Sequence, residues 1–222
     1  MPSRFQHAPG GIPQAAGEVY CYLAGEILRT RAKWIYYRQL FMESERRVAL
    51  LNKAAGNFFA EVQSILAFDL IISLTRLTDP ARSRHQENLT VALLIERLHA
   101  AGAPELVDRL HSKHRALQQQ LLPLRTRRSK EVAHYDVAAI LTPTASPLPG
   151  LTLGEIRQGI EGVESILGDV HEHYTGGSFL WDALQTERDA ESLLVQLCKA
   201  AVYDRLVTEG VVARGEWRSE WE

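Results

Sequence analysis

The stretch from Glu43 to Thr78 limits most strongly what this 222-residue chain can fold into. Its apolar residues recur at steps of three and four, which predicts one helix about 50 Å long at 1.5 Å per residue. Asp79-Pro80 ends the helix, because proline cannot continue it. From Phe58 to Leu74 the helix is apolar nearly all round, which is typical of a helix buried on several sides. Such a helix is either central in a bundle or shared with a second subunit.

One stripe along this helix also carries charges. Its apolar part is formed by Leu51, Ala55, Phe58, Val62 and Ile65. Continued at the same spacing, the stripe meets Asp69 and Arg76, one acid and one base. Buried charges persist where they are paired or functional. Two interpretations of Asp69 therefore stay open: a structural ion pair, and a buried acid that approaches an active site from the long helix.

Helical patterns account for most of the remaining chain. An amphipathic helix is predicted from Gln14 to about Arg38. Downstream, Asn88 is the expected N-cap of the next helix, and Pro123 is expected to divide a later one. No segment shows alternating β-branched residues between hairpin turns. The sequence therefore predicts an all-α fold, an antiparallel helical bundle with a long central helix.

The length is that of one large domain or two small ones. We expect a single helical domain over residues 14–209. A Pro/Gly-rich stretch, residues 1–13, is expected to be a disordered arm, and residues 210–222 are expected to form a polar tail.

Other features bear on the compartment and on cofactors. The first residues lack the apolar core of a signal peptide, and the most apolar run, residues 65–74, is too short to span a bilayer. Cys21 and Cys198 show no CxxC or Cys/His pairing, which excludes a disulfide framework and a zinc site. We therefore expect a reduced, cytoplasmic protein with no cofactor, no metal and no membrane partner.

Basic residues are concentrated in one part of the chain. The total of 25 Lys and Arg against 27 Asp and Glu gives a formal charge of −2, so the chain as a whole is not a basic nucleic-acid binder. From Arg109 to Lys130, however, there are seven Lys or Arg and no acid, whereas fourteen acids face six bases from Glu155 onward. A local basic stripe on a nearly neutral chain is compatible with a confined anion site.

The segment Leu124–Asp136, which we call the R…H segment, combines this stripe with a histidine. Its sequence is LRTRRSKEVAHYD, with four cations in six residues followed by His134. Arginine grips phosphate oxygens through two parallel N–H groups. A neutral imidazole can take the proton of a ribose 2′-hydroxyl without any metal. Cations that merely complement the end of a helix dipole would produce the same pattern.

The spacing within this segment leaves its geometry open. On a straight α-helix Arg128 and His134 lie about 120° apart, whereas Arg127 shares the face of His134. Three arrangements resolve this: a deformed helix, an Arg128 side chain that reaches round, or a site composed from two chains.

Four segments carry a family resemblance: 52–59 (NKAAGNFF), 73–80 (SLTRLTDP), 88–90 (NLT) and 128–136 (RSKEVAHYD). The last resembles the R-x(4–6)-H motif of the HEPN superfamily (higher eukaryotes and prokaryotes nucleotide-binding domains). The order and spacing of all four resemble its abortive-infection U-type, or AbiU-like, group. The resemblance covers the chain from about residue 30 to about residue 206.

The resemblance implies a helical bundle that forms a homodimer in which two R…H motifs face each other. Active members of the superfamily are metal-independent endoribonucleases, often toxins or antiphage effectors. By this resemblance Arg128 is expected to bind the scissile phosphate, and His134 is expected to act as general base or acid. RNA, a second copy of the chain and an antitoxin are the implied partners.

Further residues are expected to support this site. Ser129 stands where the family usually has Asn, and it has less reach for hydrogen bonds. Asp136 matches the trailing acid of the motif, and Asp69 is the candidate from the long helix. The other cations expected to bind RNA phosphates are Arg125, Arg127 and Lys130.

The alternative hypothesis is a non-catalytic binding module. Many HEPN proteins bind nucleotides or RNA without cutting, and some serve only as partner modules. The arginines would then hold RNA, a nucleotide or an acidic partner protein, and His134 would only stabilise the end of its helix.

Overall fold

A computed structural model describes residues 8–132, 153–181 and 188–215. Within these residues seven α-helices and one very short hairpin are present, which confirms the predicted all-α fold. A five-residue π-helical turn, Arg128–Val132, follows the fifth helix directly. In chain order the helices are α1 (Gln14–Phe41), α2 (Glu45–Leu77), α3 (Val91–Ala100), α4 (Pro104–Gln120), α5 (Leu122–Arg127), α6 (Leu153–Thr175) and α7 (Asp189–Thr208).

The chain divides into two compact units. Unit 1 consists of Met1–Trp34 and Ile65–Leu184, and unit 2 consists of Ile35–Ser64 and Gln185–Glu222. Both α1 and α2 therefore contribute to each unit. Compactness alone does not define a folding domain, so the single domain over residues 14–209 stays a prediction.

The core of unit 1 supports the C-terminal half of α2. In this unit α4 packs along α6. Burying a large aliphatic side chain stabilises a fold by roughly 1.5–3 kcal/mol, so this core holds the end of α2 firmly. Side chains with at most 2 % exposure include Tyr20 and Ile27 of α1, Leu70, Leu74 and Leu77 of α2, Leu94 and Leu98 of α3, Leu110 and Leu117 of α4, and Val163 and Ile166 of α6.

A smaller core lies in unit 2. It is formed by Leu40, Leu51, Phe59, Ala190 and Leu194. Most of α7 is exposed, and within that helix only Ala190 and Leu194 are buried.

The apolar sides of α2 differ in burial. Phe59, Leu70 and Leu77 are buried, whereas Phe58 is 62 % and Ile65 is 56 % exposed. The part of the chain that the structure describes therefore does not cover α2 all round, and the alternative of a face shared with a second subunit stays a prediction.

The interior of α2 also departs from the regular helix that its periodicity predicts. Its observed ends agree with the predicted ones within two residues, but Ala55 has φ −163° and ψ 70°, so the helix is kinked there.

By length and composition alone α2 could cross a membrane, and a third of its most apolar stretch is buried. Core helices of soluble proteins meet the same two criteria.

The loop after α2 corrects one predicted cap. It contains the two strands β1 (Arg82–Ser83) and β2 (Gln86–Glu87), which pair antiparallel. Asn88 does not cap α3, because its Nδ2 donates to the carbonyl of Pro80 at 2.9 Å and so closes the loop. Thr90 is the N-cap, and its Oγ1 accepts a hydrogen bond from the backbone N–H of Leu93 at 3.3 Å.

Two glycines of α6 provide a matched test of how closely this helix packs. A Cβ on Gly162 would lie 2.7 Å from Cδ1 of the buried Leu117, whereas a Cβ on Gly168 would meet no described atom within 4 Å. Alanine favours a helix over glycine by roughly 1 kcal/mol at both positions, but overpacking costs roughly 1–3 kcal/mol. We expect Gly168→Ala to raise the free energy of unfolding measured by urea titration. The free energy of unfolding of Gly162→Ala should be at least about 1 kcal/mol lower than that of Gly168→Ala. Equal values would contradict the close approach of α4 to α6.

Candidate functional site

The start of the R…H segment lies against the C-terminal end of α2. As predicted, the chain breaks near Pro123: α4 ends at Gln120 and α5 begins at Leu122. The last carbonyl groups of an α-helix lack partners within the helix and carry partial negative charge. The arginines of the segment therefore face a group of acceptors that needs positive donors.

Arg125 caps the end of α2. Its Nη2 donates to the carbonyl of Thr78 at 2.6 Å and to Oγ1 of the same residue at 2.8 Å. The carbonyl of Thr75 accepts a longer bond of 3.4 Å from the same nitrogen. Nη1 of Arg125 donates to Oδ1 of Asp79 at 2.6 Å. Two of the three guanidinium nitrogens are thus used by the fold.

Arg128 shares the same carboxylate. Its Nη1 donates to Oδ2 of Asp79 at 2.8 Å and to Oγ1 of Thr75 at 3.3 Å. Its side chain is 34 % exposed, against 25 % for Arg125. Asp79 therefore bridges two guanidinium groups, one through each oxygen.

From the sequence, Asp79 is expected only to end α2 and to belong to the family segment 73–80, with no role in the site. One signal could have identified it, because an acid at a helix C-terminus is opposed by the helix dipole. Asp79 lies two residues after Leu77, where α2 ends, so its charge requires nearby cations. The arginine-rich segment was the obvious source of such cations.

The helix that carries the R…H segment is deformed at Arg128. Residues Arg128–Val132 form the π turn, and such turns are frequent at functional sites. Of the three arrangements left open by the sequence, a deformed helix is present. A π turn has more residues per turn than an α-helix. The angles of a straight α-helix therefore no longer decide whether Arg127 or Arg128 shares the face of His134. His134 and Asp136 lie outside the described residues.

Of the other predicted site residues, Arg127 lies between Arg125 and Arg128 in sequence, and Ser129 and Lys130 follow Arg128. Ser129 is exposed, and Arg127 and Lys130 are half-buried. Within the part of the chain that the structure describes, no three His, Cys, Asp or Glu side chains are arranged to hold a metal ion.

Of the two interpretations of Asp69, the structure shows the ion pair, whereas the expected burial of this acid is wrong. Its side chain is 41 % exposed, and its Oδ2 accepts a hydrogen bond from Nζ of Lys33 in α1 at 2.5 Å. Arg76, the other charge of the stripe, donates to Glu26 of α1 at 2.9 Å. Both charges therefore form ion pairs with α1, and among the described residues no hydrogen bond or ion pair joins Asp69 to Arg125 or Arg128.

The family model for AbiU2, a group of HEPN domains, matches residues 13–193. The chain belongs to the AbiU2 HEPN family. No curated protein and no solved structure matches it. The matched region contains the end of α2 with Asp79 and the whole R…H segment. Asp79 and the two arginines that it binds, Arg125 and Arg128, therefore lie inside the AbiU2 domain.

A buried histidine lies next to the cluster in this AbiU2 protein. His114 of α4 is buried, and its Nε2 has no hydrogen-bond partner among the described residues. Burial lowers the pKa of His114 below its ordinary value of 6.5, and the nearby backbone of Thr78 opposes the shift. The charges of His111 and Arg125 lower the pKa further. The surroundings of His114 therefore favour its neutral form.

Replacement of Arg125 is expected to destabilise the AbiU2 domain. We expect Arg125→Ala to lower the free energy of unfolding by roughly 2–4 kcal/mol, because the acceptors at the end of α2 lose their charged donor. Arg125→Lys should recover only part of this, since an ammonium group lacks the planar fork. The matched control is Arg115→Ala at an exposed position of α4, with an expected change within about 0.5 kcal/mol. Similar losses for Arg125→Ala and Arg115→Ala in urea titrations would argue against the cap.

His114 is expected to make the domain less stable in acid. Its pKa is lower in the folded chain than in the unfolded chain, so the unfolded chain binds the proton more readily. The stability that the neutral His114 contributes above its ordinary pKa of 6.5 is therefore lost as the pH falls below that value. His114→Gln does not titrate, and its melting temperature should fall less than that of the wild type between pH values of about 7.5 and 5. The control is His99→Gln, at an exposed position of α3, which should keep the wild-type dependence of melting temperature on pH. An equal dependence for wild type and His114→Gln would contradict a contribution of His114 to the loss of stability in acid.

Proposed function

We propose that this AbiU2 HEPN protein is a metal-independent endoribonuclease that acts in the cytoplasm as a toxin or antiphage effector. One observation carries the proposal. Arg128 opens a π turn inside the R…H segment, and its partly exposed guanidinium is held by Asp79. A fixed cation at the start of this segment is the group that the expected chemistry requires at a scissile phosphate.

The proposed reaction is a transfer within the RNA strand. His134 removes the proton from a ribose 2′-hydroxyl, and the 2′ oxygen forms a bond to the adjacent phosphorus. The bond from phosphorus to the 5′ oxygen breaks, and a general acid protonates that leaving oxygen. The products are a 2′,3′-cyclic phosphate and a 5′-hydroxyl end. Arg128 stabilises the negative charge that develops on the non-bridging oxygens.

The other predicted residues have supporting roles in this proposal. Arg127 and Lys130 bind neighbouring phosphates, and the exposed hydroxyl of Ser129 hydrogen-bonds to the RNA backbone. Asp136 orients a neighbouring group. The active form is a homodimer with a composite site, in which the second copy provides the second His134 for the acid step. An antitoxin is the proposed cellular partner.

The test is cleavage of a panel of RNAs by the full chain in excess EDTA. We expect wild type to leave 2′,3′-cyclic phosphate ends and to slow growth when expressed. His134→Ala should lose roughly 100-fold or more of the rate, the usual contribution of general acid–base catalysis. His99→Ala, which changes an exposed histidine of α3, should keep the wild-type rate. If wild type and His134→Ala are equally inactive on RNA and equally harmless in cells, the endoribonuclease is refuted.

The alternative, a non-catalytic binding module, is favoured by one observation. Arg125 and Arg128 are both engaged by Asp79, as they would be in a purely structural ion-pair cluster. In that case charge reversal by Arg127→Glu and Arg128→Glu abolishes binding of RNA or of an acidic partner, while His134→Ala leaves growth and binding unchanged. A neighbouring gene for a small nucleotidyltransferase would instead favour the toxin.

A further inference from the structure

Asp79 holds two arginines at a position where an acid is otherwise unfavourable. It follows the last turn of α2, where the helix dipole already gives partial negative charge. Its Oδ1 accepts from Arg125 at 2.6 Å, and its Oδ2 accepts from Arg128 at 2.8 Å. Each carboxylate oxygen fixes one guanidinium. The two positive charges and the one negative charge leave the trio with a formal charge of +1.

The two arginines are held to different extents. Arg125 uses Nη1 on Asp79 and Nη2 on Thr78, so the end of α2 occupies both of its terminal nitrogens. For Arg128, the hydrogen bonds to other described residues start from Nη1 alone. Nε and Nη2 of Arg128 form the other edge of the planar group. That edge presents two parallel N–H groups, the geometry that grips a phosphate bidentately.

We propose that Asp79 is a positioning residue of the RNA site: by holding Nη1 of Arg128, it turns the Nε–Nη2 edge toward the phosphate that is cleaved. The inference rests on the proposed function, because it assigns Asp79 a role in that reaction. Asp79 itself touches no substrate and acts through Arg128. The role matters because a misplacement of about 1 Å in a catalytic group costs up to roughly 100-fold in rate.

Asp79→Asn separates positioning from charge. Asparagine keeps one acceptor oxygen and replaces the other by an NH₂ group, which donates. Arg125 is also anchored by Thr78, so it retains the acceptor, and Arg128 then faces a donor. Arg128 is released while the cluster gains one positive charge. RNA should therefore bind at least as tightly, since affinity grows with the number of cations that meet phosphates, while cleavage slows.

The chain offers a matched control for the lost charge. Asp169 of α6 also bridges two cations: its Oδ2 accepts from Nε of Arg109 at 3.2 Å and forms an ion pair with Nζ of Lys113 at 2.6 Å. Asp169 is buried to a similar degree as Asp79, with 18 % against 23 % of the side chain exposed. Asp169→Asn removes the same charge from a similar two-cation bridge outside the R…H segment. Asp79→Glu restores the carboxylate and tests for rescue.

The experiment measures kcat and RNA affinity separately on the full chain. Cleavage is followed in excess EDTA, and Kd is measured with an RNA that carries a 2′-deoxyribose at the cleaved position. Melting curves give the folded fraction to which kcat is normalised. We expect Asp79→Asn to lower kcat by about 10- to 100-fold, with Kd unchanged or up to about 5-fold tighter. Asp169→Asn should keep kcat within about 2-fold, and Asp79→Glu should recover part of the loss.

Other results overturn the inference in distinguishable ways. An unchanged or raised kcat for Asp79→Asn would mean that the carboxylate does not position Arg128 or competes with phosphate for it. A parallel loss of kcat and affinity would make the role of Asp79 structural. If wild type itself does not cleave RNA, the proposed function fails and the positioning role fails with it. The first two results appear only in the variant, whereas the last appears in the wild type.

Discussion

The ion pairs of Asp79 with Arg125 and Arg128 connect two parts of the chain that lie almost fifty residues apart. A helix end as buried as that of α2 needs donors for its carbonyls, and a carboxylate beside those carbonyls increases the need. Arg125 supplies them from α5, and the shared carboxylate extends the same network to Arg128. The start of the π turn is thereby tied to the core of unit 1.

This network gives the family motifs a common physical basis. The segment 73–80 contributes Thr75, Thr78 and Asp79, and the R…H segment contributes the two arginines. Neither segment is stable in this arrangement alone: the acceptors need the cations, and the cations need an opposite charge to lie side by side. A structural requirement and a candidate chemical site therefore share the same atoms.

Local patterns explain why much of the fold could be predicted. The helices α1 and α2 and the break at Pro123 depend on apolar spacing and on the missing N–H of proline, which are properties of neighbouring residues. The concentration of cations in residues 124–130 is likewise visible in the sequence. The four short segments that resemble AbiU-like proteins predict membership of the AbiU2 HEPN family, and the match over residues 13–193 confirms it.

The features of the fold and of the site that were not predicted depend on contacts that no local sequence pattern contains. The bridge through Asp79 joins residues far apart in sequence, and the π turn changes the helical spacing from which the partner of His134 was judged. Asp69 pairs with Lys33 because α1 lies beside it, a fact that the periodicity of α2 alone cannot supply. Asn88 and Thr90 are both good capping residues, and the choice between them was decided by a carbonyl of Pro80 in the preceding loop.

The capping of α2 by distant residues also orders the events of folding. Gln118 reaches the carbonyl of Thr78 across 40 positions of sequence, and Arg125 reaches it across 47. Closing such loops costs chain entropy before the contacts can repay it. As the chain leaves the ribosome, water must therefore satisfy the end of α2 until α4 and α5 have been made and have docked. A chain that is fully synthesised but only partly folded has both arginines, but it has not yet placed them beside Asp79.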